Sequence, residues 1–375
     1  MKILYVIGFF YPSQAGGPSS AISWLVKFVH KQGVETKVVT TNYDVKDKSI
    51  EPDMWINNEF GSVIYHSYQS LQLPVKMTLT AIQELKNIDI VHLNSIFHPP
   101  SLVIAIFALL KKKVIFWDPG GELAQEALKY GKVKKWLYLK LVKFVVGSHP
   151  YYHTTSRQET NDVKSQICKN AKFFEAPNYI EEIEKNECEV KKQILFIGRL
   201  HPIKGIDNLL KSVSISSKFM DSEFSLVIAG DYENDYGIFL KKMVNDLGLD
   251  MKVRFVGHVT DKDKFILYAE SYFLVLPSHS ENFANVVTES LSQGTPVIAS
   301  KGTPWQCLED YGAGFYSSND PDILAETINC ALSLDHEVYL NFRKNAHNLL
   351  VQEFSMEKGV HKWLIAYQSA MIDMS

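Results

Sequence analysis

The sequence predicts an α/β protein made of two doubly wound domains, each with a mostly parallel sheet. Three observations carry this. The chain has 375 residues, about two domains at roughly 100–200 residues each. Short β-branched apolar runs alternate with stretches of helical period, which places helices over both faces of a parallel sheet. That alternation runs twice, on either side of a polar stretch near the middle.

In the first series the strand candidates are 3–9, 36–41, 62–66, 90–93, 114–116 and 152–154. Helical patterns at 19–31 and 101–110 lie between them. The second series has strand candidates at 194–197, 225–229, 253–256, 273–276 and 297–299, with helices near 206–217, 237–247, 261–269 and 285–293. The join is expected within 176–192, where Pro177-Asn178 is followed by five glutamates among the nine residues from Glu181 to Glu189. That is a solvated linker composition. The domains are then 1–180 and 181–354, with a terminal helix in 355–375. Ligands of such sheets bind at the carboxyl ends of the strands, so the site is expected in a cleft between two facing domains.

Composition excludes several classes. The apolar fraction of 46% and charged fraction of 22% are ordinary for a globular protein, so disorder is ruled out as the main state. Cys168, Cys188, Cys307 and Cys330 are too far apart for a zinc motif and suit a reducing compartment. The longest apolar run, 102–110, ends at Lys111-Lys112-Lys113, well short of the ~20 residues a membrane span needs. The start, Met1-Lys2 and then 3–11, imitates a short signal peptide but reads better as a first core strand. Charge is uneven. Residues 1–180 hold 21 Lys+Arg against 14 Asp+Glu, a net +7, whereas 181–375 hold 18 against 28, a net −10. The basic half suits a polyanion, unless the imbalance is scatter.

Three stretches carry candidate chemistry. Gly16-Gly17-Pro18-Ser19-Ser20 follows the first strand, where glycines let backbone amides approach an anion at a helix start. It lacks the spacing of a dinucleotide fingerprint and fits a plain capped turn equally well. Gly198-Arg199-Leu200-His201-Pro202-Ile203-Lys204-Gly205 follows the first strand of the second series. It offers one planar guanidinium and one point charge for phosphate oxygens. The third runs from Leu276 through Glu281-Asn282-Phe283-Ala284-Asn285-Val286-Val287-Thr288-Glu289 to Gly294-Thr295-Pro296. It places Glu281 in a loop at a strand end and Glu289 one turn inside a helix whose positive end suits a phosphate. Carboxylates so placed accept bonds from sugar hydroxyls, or are an exposed loop acid and a solvated helix acid.

Together, G-R-L-x-x-x-K-G and E-N-F-x-N-x-x-x-E-S-L-x-x-G-T-P-V-I-A-S resemble glycosyltransferase family 4, retaining enzymes of the glycosyl transferases group 1 type. The resemblance covers nearly the whole chain and implies the GT-B fold, with the terminal helix returning to the first domain. It further implies that Arg199 and Lys204 bind the donor diphosphate, Glu281 the donor sugar and Glu289 the nucleotide ribose. Gly198 and the run Asn282, Phe283, Ala284, Asn285 and Val286 would lie along the donor, with Gly257 and Val259 beside the base. Gly16 and Gly17 would close over the phosphates. No metal or cofactor is implied, in keeping with the lack of an Asp-x-Asp after a strand end. The donor would be a UDP- or GDP-linked sugar, and the acceptor a glycan or lipid-linked hydroxyl in O-antigen, capsule or exopolysaccharide synthesis.

The acceptor side departs from the family. Where relatives carry Pro-Arg-Gly-Met, this chain has Trp117-Asp118-Pro119-Gly120-Gly121-Glu122. Asp118, Glu122 and His98 are the candidates for orienting the acceptor hydroxyl, with Asp118 also a candidate catalytic residue. From Lys129 to Val146 the chain has six lysines, no acid, and Trp136, Tyr138 and Phe144 interleaved. That pattern suits an anionic membrane surface better than nucleic acid. It also suits a core helix with a solvated lysine face. The expected location is the cytoplasm, on the inner face of the cell membrane. Two rivals stand beside the transferase: a sugar-nucleotide epimerase of the same fold, separated by whether free nucleoside diphosphate appears, and a silent sugar-binding subunit.

Overall fold

A computed structural model of the protein describes residues 1–13, 17–47, 50–68, 74–129 and 131–373. The chain divides into two units, Met1–Glu181 with Met356–Ser375, and Glu182–Ser355.

Among the described residues the first unit has eight strands: β1 Lys2–Phe9, β2 Glu35–Thr41, β3 Trp55–Asn58, β4 Gly61–His66, β5 Ile90–Asn94, β6 Val114–Asp118, β7 Tyr151–Thr154 and β8 Lys172–Glu175. Their order across the sheet is β3-β4-β2-β1-β5-β6-β7-β8. Only the β3/β4 hairpin is antiparallel. The chain winds outward from β1 to β4 and restarts at β5 beside β1, so the strand order reverses between β1 and β5.

The apolar run of β1 serves two cores, as a parallel strand buried on both faces must. Ile3, Tyr5 and Ile7 point to the face covered by helices Gly17–Lys31 and Met356–Ile372, where they meet Ile22, Leu25, Val360 and Trp363. Leu4 and Val6 point to the face covered by helices Val75–Glu84, Pro99–Leu110 and Lys132–Val145, which contribute Met77, Leu102, Ala105, Leu139 and Val142. His92 is fully buried on the first face, 2.8 Å from the Tyr367 hydroxyl. Burial, and after it the charge of His153, push His92 down to about 3, so it stays neutral there.

The second unit has six strands: β9 Gln193–Ile197, β10 Ser225–Ala229, β11 Val253–Gly257, β12 Phe273–Leu276, β13 Val297–Ser300 and β14 Gly314–Ser317. All pair in parallel, in the order β11-β10-β9-β12-β13-β14. The order reverses between β9 and β12, which makes their carboxyl ends the topological switch point.

Eleven sequence-predicted strands are present within a residue or two of their expected ends. Three others escaped the pattern. β3 is Trp-Ile-Asn-Asn, β8 Lys-Phe-Phe-Glu and β14 Gly-Phe-Tyr-Ser, each only four residues long. Helix Arg157–Gln166 also escaped, because Val163 is its only aliphatic residue; Ser156 starts it by accepting from the Glu159 amide. No helix among the described residues is long and apolar enough to cross a membrane.

Candidate active site

Past its carboxyl end, β9 is knitted by backbone to both of its neighbours, β10 and β12. Gly198 N donates to Ala229 O at 3.0 Å. A Cβ on Gly230, just past β10, would lie 2.1 Å from Gly198 O, so the ends of β9 and β10 meet this closely only because Gly230 has none. After β9, His201 opens the short turn Pro202–Lys204, and its Nδ1 accepts from Ile203 N at 3.2 Å. Partial burial and the neighbouring charges of Arg199 and Lys204 hold His201 below the usual imidazole range. A neutral ring is what an accepting Nδ1 requires. The turn ends at Gly205, with φ of 63°, where a Cβ would sit 2.3 Å from Pro277 O. His279 N, just past β12, donates back to Ile203 O at 2.8 Å.

These contacts bring the two loops' side chains together. Lys204 Nζ lies 2.6 Å from Glu281 Oε1, and Ser278 Oγ donates to the same oxygen at 2.7 Å. The pair is largely shielded, Lys204 being 20% and Glu281 11% exposed at the side chain. Glu281 N is anchored to Gly302 O at 3.0 Å. Arg199 stands exposed at the edge, with no carboxylate partner among the described residues. Asn319 braces the floor, donating to Pro277 O at 3.1 Å and lying 3.0 Å from His279 Nδ1.

Helix Asn285–Ser292 starts beside Glu281 with no side-chain cap. Ala284 precedes it with φ of 70°, a left-handed conformation that costs a non-glycine residue about 1–3 kcal/mol. Phe283 is a core residue: its ring packs 5.1 Å from Trp305 and 5.9 Å from Phe354, and its carbonyl accepts from Trp305 Nε1. That anchor helps hold the strained turn, and it leaves only the backbone of Phe283 for a ligand. Asn282, Asn285 and Val286 are half-buried around the turn.

Glu289 lies deeper, only 5% exposed. Lys264 Nζ is 2.7 Å from its Oε1, and the Tyr268 hydroxyl donates to its Oε2 at 2.9 Å. Burial, and then the Glu289 charge, raise the Tyr268 phenol well above its ordinary value, so it remains a donor. Lys264 and Tyr268 share one face of helix Asp261–Ala269, four residues apart. Sequence reasoning missed both, and that spacing was the available signal. The helix follows β11, Gly257 (φ of 78°) and half-buried Val259.

In the first unit the three acceptor-side candidates lie at the ends of β5 and β6. Asp118 Oδ2 is 3.5 Å from His153 Nδ1, and Gly120 N donates to its Oδ1 at 2.8 Å. Burial opposes both charges, but the pairing prevails, lowering Asp118 and raising His153 from their ordinary values. Glu122 is a loop anchor: Ser95 Oγ donates to it at 2.6 Å, Ile96 N at 2.7 Å and Phe97 N at 2.9 Å. Glu159, unflagged by the sequence, does the same for Gly121 N at 2.7 Å and Thr155 N at 2.8 Å. His98 is buried at the start of helix Pro99–Leu110, 3.1 Å from Ser101 Oγ. Gly17 is the first residue of helix Gly17–Lys31, and Gly16 lies outside the described residues.

Residues 179–349 match the family described as glycosyl transferases group 1. The second unit is a domain of that family. Across the whole chain the fold is GT-B, by likeness to solved structures. Sucrose-phosphate synthase from Thermosynechococcus elongatus superposes with a TM-score of 0.78 at 17% identity, covering 99% of each chain. HepE from Anabaena, solved with UDP and glucose, gives 0.76 at 17% identity, covering 98% of this chain and all of the other. In sequence, the O-antigen chain mannosyltransferase RfbU of Salmonella typhimurium is 33% identical over 142 residues, 38% of each chain. The chain spans less than two thirds of the length of the curated relatives it matches.

Within this group 1 domain, Gly205 is the joint on which the Lys204–Glu281 pair depends. Gly205→Ala is expected to destabilise the second unit by about 1–3 kcal/mol, through left-handed strain and the clash with Pro277. A urea midpoint equal to wild type would show that the turn adapts without moving β12.

Proposed function

We propose that the protein is a retaining glycosyltransferase of family 4. It would move a sugar from a UDP- or GDP-linked donor to a hydroxyl of a glycan or lipid-linked acceptor. The observation that carries this is the convergence of Arg199, Lys204, Glu281 and the start of helix Asn285–Ser292 at the switch point of a group 1 domain. The HepE complex with UDP and glucose supports a nucleotide-sugar donor, and the likeness to RfbU supports cell-surface polysaccharide synthesis.

Before the donor arrives, Lys204 and Glu281 neutralise each other. The donor diphosphate competes for Lys204 and adds Arg199 and the helix amides, which releases Glu281 Oε1 toward the sugar hydroxyls. As the bond from the anomeric carbon to the phosphate oxygen breaks, its electron pair goes to the diphosphate. The acceptor oxygen bonds to the same face of the anomeric carbon, and its proton passes to the leaving phosphate. Negative charge grows where the two cations stand, and positive charge grows on the sugar beside Glu281, so both are met by preorganised groups. Glu289, held by Lys264 and Tyr268, takes the ribose hydroxyls. The proposed step uses no metal. We assign the acceptor side to Asp118, which His153 and the Gly120 amide hold in place, whereas three donors of the 95–97 loop hold Glu122. The basic stretch from Lys129 to Val146 would keep the enzyme on the inner face of the cell membrane.

The test is a screen of UDP- and GDP-sugars with a lipid extract as acceptor, reading released nucleoside diphosphate and the anomeric configuration of the product. Transfer with retained configuration is expected. Isomerised donor without released diphosphate would make the protein an epimerase, and no turnover of any donor would make it a binding subunit.

A further inference from the structure

Three of the helices that cover one face of the first sheet have apolar outward sides. On Pro99–Leu110 the exposed residues are Val103, Phe107 and Leu110, at i, i+4 and i+7. On Lys132–Val145 they are Val133, Trp136, Leu137, Leu141 and Phe144. Val75 and Leu79 continue the row on Val75–Glu84. The burial is not marginal in its absence: Phe144 is 89% exposed and Leu110 74%. The inner sides of the same helices fill one core cluster, so the outer sides form one layer. The Phe97 and Tyr138 rings, 5.8 Å apart, join the second helix to the third.

Lysines frame this layer. Lys111 and Lys112 end the second helix, and Lys132, Lys134, Lys140 and Lys143 flank the apolar ridge of the third. All six are exposed, and none has a carboxylate partner among the described residues. Neither of these two helices contains an acid. Lys140 Nζ lies 3.7 Å from the centre of the Trp136 ring, an aromatic and a cation presented together.

We propose that these three helices form a single docking face for an anionic lipid bilayer. The apolar ridge would enter the acyl boundary while the lysines reach lipid phosphates beside it. Charge complementarity selects this occupant. A second copy of the chain would set lysines against lysines across a two-fold contact, and a nucleic acid would leave the apolar ridge in water. The inference extends the membrane contact proposed with the transferase activity, but it is carried by the surface of the first unit alone.

The full-length protein should co-sediment with vesicles containing phosphatidylglycerol and much less with phosphatidylcholine alone. Raising salt from 0.1 M to 1 M shortens the screening length from ~10 Å to ~3 Å and should weaken the binding. Two variants separate the components: Lys111→Glu with Lys112→Glu, Lys132→Glu and Lys140→Glu, and Leu137→Ser with Leu141→Ser and Phe144→Ser. Each should lose roughly tenfold or more in vesicle affinity. Each should still bind nucleoside diphosphate, which reports a folded second unit, and retain wild-type circular dichroism. Wild type that ignores anionic vesicles, or either variant binding as wild type does, overturns the proposal. So does a dimer that the serine variant dissolves. Docking without sugar transfer would leave this face standing and sink the transferase reading; transfer to a soluble acceptor without docking would do the reverse.

Discussion

Glu281→Gln is expected to lower sugar transfer by roughly 10²–10³ while nucleoside diphosphate binds as well as to wild type, or more tightly. The two effects have one origin. In the free protein Lys204 is held 2.6 Å from the Glu281 carboxylate, and a bound diphosphate must compete with that partner. Removing the charge removes the competitor, so binding of the leaving group improves. The same change takes away the carboxylate that faces the sugar as positive charge develops, so the chemical step slows. Glutamine keeps an oxygen for Ser278 Oγ, and the loop stays anchored through Glu281 N to Gly302 O at 3.0 Å. Transfer within ~twofold of wild type would remove Glu281 from the mechanism. Weaker binding of nucleoside diphosphate would mean that the Lys204–Glu281 pair does not gate the phosphate site.

How much of this was legible depended on where the physics is local. Both sheets were readable because parallel strands buried on two faces must be apolar throughout, as Ile3 to Ile7 show. The site loops were readable because phosphate and sugar chemistry demands particular residue types just past strand ends. Other features depend on distant neighbours. A lysine on a polar helix looks solvated, yet Lys264 is tied to Glu289, 25 residues away. Asn319 looks like a loop residue, yet it braces Pro277, 42 residues away. Phe283 sits inside the motif and reads as a donor contact, but its ring belongs to the core with Trp305 and Phe354. Glu122 shows the same limit on the acceptor side. A carboxylate after a strand end reads as chemistry until the three donors that hold it are known.

Lys204→Ala and Arg199→Ala are each expected to lower kcat/KM by roughly 10²–10³ and to weaken nucleoside diphosphate binding, since each removes a cation from the charge that grows on the leaving group. Their effects on folding should differ, because their surroundings do. Arg199 is exposed and holds no carboxylate among the described residues, so its loss should leave the urea midpoint of the second unit unchanged. Lys204 is the counter-ion of a carboxylate that is only 11% exposed. Without it, Glu281 keeps Ser278 Oγ alone on that oxygen, and the uncompensated charge should cost about 1–2 kcal/mol. Combining Lys204→Ala with Glu281→Gln should recover most of that stability, because the second change removes the charge the first left unpaired. It should recover none of the activity. Stability losses that simply add would mean the pair is not coupled in solution. If both single variants bind nucleoside diphosphate as wild type does, the phosphate site lies away from the carboxyl ends of β9 and β12.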